Sequence, residues 1–239
     1  MENIQDLQIV ILEEPHRTLS TEEGKYYFSN MCQVKLEGYR EIHGNALALP
    51  LDQYDFISSH ILICDKKDNG KHQIISAYRS LSYKKCKEFG LKFDILSVVE
   101  EHAEKVCQAE VLKILDGIDS KNVDIRHNSR WTFAPEYSSN IKMKFLNLEV
   151  GSAILHYYDN YPEKNEWFSL GVNSLRTDRI FHRSGGKNVS DSPYFNLIGP
   201  YGREEKITLI HGALDRDECA NLVHAIKHKE LWENRIIIN

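Results

Sequence analysis

Leu51-Asp52-Gln53-Tyr54-Asp55-Phe56 places two acids three residues apart, just before two apolar runs, the second of which ends in an arginine. The runs are His60-Ile61-Leu62-Ile63-Cys64-Asp65 and Gln73-Ile74-Ile75-Ser76-Ala77-Tyr78-Arg79, joined by Lys66-Lys67-Asp68-Asn69-Gly70-Lys71. Asn69-Gly70 supplies the positive-φ residues that a tight hairpin needs, so the β-branched runs read as an antiparallel strand pair. That pairing returns Arg79 to the end of the hairpin that Asp55 approaches. A fixed carboxylate beside a planar guanidinium fork is chemistry that holds a zwitterion. It is equally the chemistry of a surface ion pair of small energetic weight.

Working outward, Ser20-Thr21-Glu22-Glu23 has a capping-box pattern, and Tyr27, Met31, Val34 and Leu36 roughly keep one face, which predicts a helix over 21–37. Asp94 opens a long amphipathic segment through Leu96, Val99, Ala103, Val106, Ala109, Leu112 and Leu115 to Gly117, read as one helix. Val123-Asp124-Ile125 and Ser129-Arg130-Trp131-Thr132-Phe133 alternate as a strand that Ala134-Pro135 stops. A helix over 141–158, a strand over 167–172 and a short helix over 174–183 ended by Gly185-Gly186 follow. Strands over 194–198 and 206–211 precede a last helix from Asp215. This order predicts an α/β fold with a mixed, mostly antiparallel central sheet and helices on both faces.

The 239 residues contain no linker-like tract and no repeat, which predicts one domain with a C-terminal extension from about residue 200. A net charge of −5 with scattered Lys and Arg argues against a grip on nucleic acid. Apolar runs are too short to cross a bilayer and Met1–Asp6 lacks a basic leader, so a soluble cytoplasmic protein is expected. The five cysteines are odd in number and irregularly spaced, reading as reduced thiols with no zinc pattern, and no metal is expected. His224 and His228 have helical ligand spacing but sit among Lys227, Lys229 and Glu230, a solvated face. No Gly-rich dinucleotide fingerprint and no phosphate loop follows any predicted strand.

The acidic pair Asp52 and Asp55, Arg79, the Ser129-Arg130-Trp131 strand and the segment from Phe168 to Gly186 together resemble the GNAT superfamily of acyltransferases. Within it the chain is similar to the branch of acyl-homoserine-lactone synthases (autoinducer synthases) and N-acyl amino acid synthases. The resemblance implies a central sheet with a splayed strand pair, and a thioester donor, acyl-CoA or acyl-acyl-carrier protein, as cosubstrate. It further implies that Asp52 and Asp55 hold a small-molecule amine acceptor while Arg79 and Arg130 stabilise loops and polar groups. Trp131, Thr132 and Phe133 would supply the donor slot and backbone N–H groups for the oxyanion. Where the lactone synthases place a glutamate base, three residues before the arginine, this chain has His127, which argues against lactone formation. Pro135-Glu136-Tyr137-Ser138-Ser139-Asn140 lacks the spaced glycines of a pyrophosphate loop, which favours a carrier-protein donor.

The chemistry demands little of a base. An α-amine with pKa near 8 is freed at pH 7 for about 1.4 kcal/mol, against about 4.6 kcal/mol for a lysine side chain, so α-amino acceptors are favoured. A histidine side chain ordinarily titrates near 6.5, and His127 is the candidate proton acceptor. Two alternatives stand beside N-acyl transfer to an amino acid or similar metabolite. One is an acetyl-CoA-dependent enzyme acting on a protein or polyamine, and the other is a catalytically degenerate fold that binds acyl chains or a partner.

Overall fold

The computed structural model describes residues 7–43, 51–67, 72–121, 123–137, 139–160, 165–198, 204–214 and 229–239. In chain order they form β1 (Leu7–Leu12), α1 (Pro15–Thr18), α2 (Glu22–His43), a 3-10 turn (Gln53–Phe56), β2 (Ser59–Lys66), β3 (His72–Ser82), α3 (Tyr83–Glu88), α4 (Asp94–His102) and α5 (Lys105–Lys121). Then come β4 (Ile125–Phe133), α6 (Ser139–Asn160), β5 (Asn165–Val172), α7 (Thr177–Arg183), β6 (Gly186–Asn188), β7 (Tyr194–Ile198), β8 (Glu204–Leu214), α8 (Lys229–Glu233) and β9 (Ile236–Ile238). The fold is mixed α/β, and five of its seven described strand pairings are antiparallel. Two compact units divide the chain: Met1–Ser80, Arg130–Ala153 and His224–Asn239 form one, Leu81–Ser129 and Ile154–Val223 the other.

In the first unit β1 pairs with β2 and β2 with β3, all antiparallel, while β9 adds a parallel edge to β1. The predicted hairpin is present, with His60 opposite Arg79; its Asn-Gly turn lies outside the described residues. A bulge between Ile63 and Cys64 pairs Leu62 with Ala77 but Cys64 with Ile74, so Ile74 and Ala77 share a face although three residues apart. That face, with Val10, Leu12, Leu62 and Cys64, packs against Tyr27, Met31 and Val34 of α2. His60 and Arg79 continue the same stripe by period-two alternation, and so lie on the α2 side. Leu36, expected on the buried face, is 40% exposed, whereas Lys35 is completely buried. At about 100° per residue Lys35 falls beside the Tyr27–Met31–Val34 stripe and Leu36 half a turn from Tyr27.

In the second unit β5 runs antiparallel to β8, which also carries β6 and β7. β4 and β5 pair in parallel only from Ile125↔Glu166 to Asn128↔Ser169, although β5 continues along β8 to Val172. The β5–β8 contact is tight at Trp167, where a Cβ on Gly212 would lie 2.1 Å from the indole. The segment expected as one helix from Asp94 to Gly117 is two helices, because Ala103 is extended (φ −93°, ψ 156°). Gln108 Nε2 donates to the Ala103 carbonyl at 2.8 Å, satisfying an acceptor the break leaves open. Beyond the break the buried face is Cys107, Val111, Leu115 and Ile118, and the expected Val106 and Leu112 are exposed. The last helix expected from Asp215, with His224 and His228, lies outside the described residues, which include β8 and α8 on either side.

Candidate functional site

The spacing of the two acids has a local cause. Asp52 caps the 3-10 turn, its Oδ1 accepting from the Tyr54 backbone N–H at 3.0 Å, and its own N–H donates back to Asp55 Oδ2 at 2.8 Å. This reciprocal cap needs acids at both ends of one turn, which is what the three-residue separation provides.

The two carboxylates then diverge. Asp55 has no exposed surface; Lys35 Nζ donates to its Oδ1 at 2.6 Å, and Arg79 Nη1 lies 3.7 Å from the same oxygen. Burial pushes the Asp55 carboxyl up, but Lys35, His60 and Arg79 overcome it and hold the group down at about 2. His60, also without exposed surface, donates from Nε2 to the Asp55 carbonyl at 2.8 Å; burial, then Lys35, lowers it to about 3, so it is neutral. Burial likewise pushes Lys35 below the ordinary lysine value against the pull of Asp55. Asp52, whose side chain is 28% exposed, receives Arg79 Nη1 at 2.7 Å and Arg130 Nη2 at 3.2 Å. The cluster therefore surfaces at Asp52 and at Arg130, whose side chain is 36% exposed.

Arg130 has φ +56°, left-handed backbone that costs a non-glycine residue about 1–2 kcal/mol. Gly38 lets α2 close on β4 there: a Cβ at this position would lie 2.7 Å from the Phe133 carbonyl oxygen. The close approach brings Tyr39 to Arg130, to which it is hydrogen-bonded. Of the expected donor-slot residues, Thr132 and Phe133 are buried, Phe133 against Tyr137 and Phe145, and Trp131 Nε1 donates to Glu149 Oε2 at 2.6 Å. Glu149 is fully buried with no ion-pair partner among the described residues, and burial raises it well above the ordinary carboxyl range, opposed by Ser76 and Trp131. Ser76 Oγ acts on that carboxyl without a hydrogen bond of good geometry.

In the second unit His127 is 3% exposed and donates from Nδ1 to Asp94 Oδ1 at 2.7 Å. Its Nε2 is buried with no hydrogen-bond partner among the described residues, an omission that costs about 1–3 kcal/mol.

Sequence reasoning singled out Asp52, Asp55, Arg79, Arg130 and His127; it did not single out Lys35 and His60, which pack against Asp55, Asp94, which bonds His127, or Glu149, which bonds Trp131. Lys35 stands eight residues after Tyr27 and four after Met31, a core spacing that its charge conceals. A groove of about 320 Å³ lined by Tyr26, Asn30, Gln33, Glu37, His72 and Glu136 contains none of these residues. Its acids are already bonded, Glu37 by Gln33 and Glu136 by Gln73, each at 2.9 Å, so size alone does not mark the chemistry. Among the described residues no group of three or more His, Cys, Asp or Glu could hold a metal ion, and no helix is long and apolar enough to cross a membrane.

Among solved structures the chain is similar to the CoA-dependent acyl-homoserine lactone synthase BjaI, solved with MTA. Identity is 12%, coverage 97% of this chain and 92% of that one, and the TM-score 0.51. The chain shares the fold of this synthase. The synthase LasI is 15% identical over 86% of this chain and 88% of its own, with a TM-score of 0.47. An agmatine N-acetyltransferase is 12% identical over 87% of this chain and 100% of its own, at 0.45. No protein-family model and no curated protein sequence matches the chain. Identity at this level speaks to fold and not to substrate.

Proposed function

We propose that the chain is a cytoplasmic N-acyltransferase that moves an acyl group from a thioester, acyl-CoA or acyl-acyl-carrier protein, to the amine of an amino acid or similar small metabolite. One observation carries the reading: within a GNAT fold, a buried ion-pair cluster surfaces at Asp52 and Arg130. Asp52 already receives two guanidinium groups and a backbone N–H, so a polyamine would have to displace one of them. Arg130, the more exposed of the two, suits the carboxylate of an α-amino acid. Asp55 and Arg79, which are buried, brace this pair from behind and do not themselves meet an acceptor. The backbone N–H groups of Trp131, Thr132 and Phe133 are assigned to the oxyanion.

The test is thiol release and amide formation with dodecanoyl-CoA and dodecanoyl-acyl-carrier protein, against amino acids and against agmatine. Amide formation with amino acids, reduced at least about tenfold by Asp52→Asn and by Arg130→Gln, is the expected result. No amide from any pair overturns the reading, and a thermal shift with dodecanoyl-CoA in that event would point to an acyl-binding protein without turnover.

A further inference from the structure

The ion pairs of the described residues join three cations, Lys35, Arg79 and Arg130, to two carboxylates, Asp52 and Asp55. Lys35 and Arg79 expose 0% and 1% of their side chains and Arg130 36%, so of the three it is Arg130 that a further anion can reach. Two neighbours fix its side chain. Asp52 Oδ2 accepts from Nη2 at 3.2 Å, and Tyr39, hydrogen-bonded to the same guanidinium, must also accept, because arginine only donates. Tyr39 stands on α2 one turn beyond Lys35. Four residues of α-helix rise about 6 Å, as do three of 3-10 helix, so Lys35 and Tyr39 match the spacing of Asp55 and Asp52 on the turn beside them. Gly38 makes room for this approach, since a Cβ there would also lie 2.7 Å from Thr132 Cγ2. The left-handed backbone of Arg130 is strain of a kind that persists where the surroundings over-determine a residue, as at ligand clamps. A guanidinium has five N–H donors in a planar fork, enough to hold Asp52, Tyr39 and a ligand carboxylate at once.

We propose that Tyr39 is a specificity-determining residue: it holds the Arg130 fork so that the exposed edge takes the α-carboxylate of the acceptor, which selects α-amino acids over amines without a carboxylate. The inference rests on the N-acyltransferase reading above and adds the residue that sets the choice of acceptor. Tyr39 acts through Arg130, as a positioning residue. A long side chain held at two points has lost its rotamer freedom before the acceptor arrives, so the incoming carboxylate does not have to order it. Without the phenol oxygen the fork keeps its charge and loses an anchor. The loss then falls on binding of the carboxylate and not on the chemical step. Agmatine, which carries no carboxylate, meets Arg130 with like charge and is disfavoured.

Initial rates on the full-length chain, with dodecanoyl-CoA and dodecanoyl-acyl-carrier protein as donors, test this. The acceptors are the amino acid that wild-type protein acylates fastest and the carboxamide of the same amino acid. Wild-type protein is expected to prefer the amino acid at least about tenfold in kcat/KM. Tyr39→Phe should raise KM for the amino acid about tenfold, with kcat changed by no more than about twofold, and move KM for the carboxamide by less than about twofold. Arg130→Lys keeps the charge and loses the fork, so in that background Tyr39→Phe should have no further effect on KM. A merely structural role would raise KM for both acceptors alike. That outcome, an unchanged KM for the amino acid, or losses that add in the double variant would overturn the assignment of Tyr39. Wild-type protein that acylates the carboxamide as readily as the amino acid would overturn the carboxylate seat and leave acyl transfer standing. Wild-type protein that forms no amide with any acceptor would instead bring down the acyltransferase reading, and this inference with it.

Discussion

Around Asp55 every carboxylate oxygen meets a donor, whereas around His127 one ring nitrogen meets none among the described residues. Both groups are buried and both belong to an acid–base pair. The difference lies in what the enclosing elements supply. Asp55 is met by a lysine from α2, an arginine from β3 and a backbone N–H from its own turn. His127 is met by one carboxylate and by phenylalanines. His60 beside Asp55 also buries one ring nitrogen, Nδ1, with no hydrogen-bond partner among the described residues, so the difference is one between the two acids' surroundings. The DxxD spacing, which in sequence looked like the reactive feature, is in this comparison the bracing, and it presents Asp52 and Arg130 at the surface.

The largest expected effect breaks the saturated side. Lys35→Met leaves the Asp55 charge buried without its main partner and should cost about 3–5 kcal/mol in urea unfolding. Adding Asp55→Asn should return part of that loss, because the uncompensated charge is gone; a double variant no more stable than Lys35→Met would show that Lys35 matters through packing alone.

Acid should break the same side next. His60 titrates at about 3 in the folded chain against an ordinary 6.5, so between those values the unfolded chain holds a proton that the native one does not. Stability therefore falls as pH drops from about 6.5 toward 3, by a few kcal/mol in all. Asp55, held at about 2 against an ordinary 3.8, adds a further loss as pH falls through that lower range. Replacing His60 with asparagine should flatten the upper part of the acid limb, and a profile identical to wild type would remove His60 from the account.

Glu149 sharpens the comparison, since it is buried with one oxygen on Trp131 and the other, Oε1, without a hydrogen-bond partner among the described residues. Its raised value means the native chain keeps a proton that the unfolded chain loses above the ordinary 4.5, so stability declines as pH rises. Glu149→Gln keeps an acceptor for the indole and should abolish that decline. The smallest change is expected at the surface. Asp52→Asn should alter stability by no more than about 1 kcal/mol, as for other part-exposed ion pairs, while lowering acyl transfer. A large loss of stability would move Asp52 into the bracing.

Several features were legible because they are local. The hairpin follows from two β-branched runs, and the start of α2 from its N-terminal pattern. The first strand, Leu7–Leu12, and the edge strand Ile236–Ile238 escaped because short apolar runs carry no period that distinguishes them. The break at Ala103 escaped for a different reason. Its neighbours keep a helical apolar pattern, and the turn is closed by the side chain of Gln108, a device that no count of hydrophobic positions reveals.

The residues by themselves marked the hairpin and most of the longer helices and strands, and they put an acidic pair and an arginine at one end of that hairpin, because propensity and alternation act over a few neighbours. Folding decided which charges go inside. Only packing α2 onto the bulged strand pair buries Lys35, encloses Asp55 and His60, and leaves Asp52 and Arg130 at the surface. Only packing α4 against β4 sets Asp94 beside His127. Proton affinity is set by the dielectric and the partners around a group, and both come from residues distant in the chain.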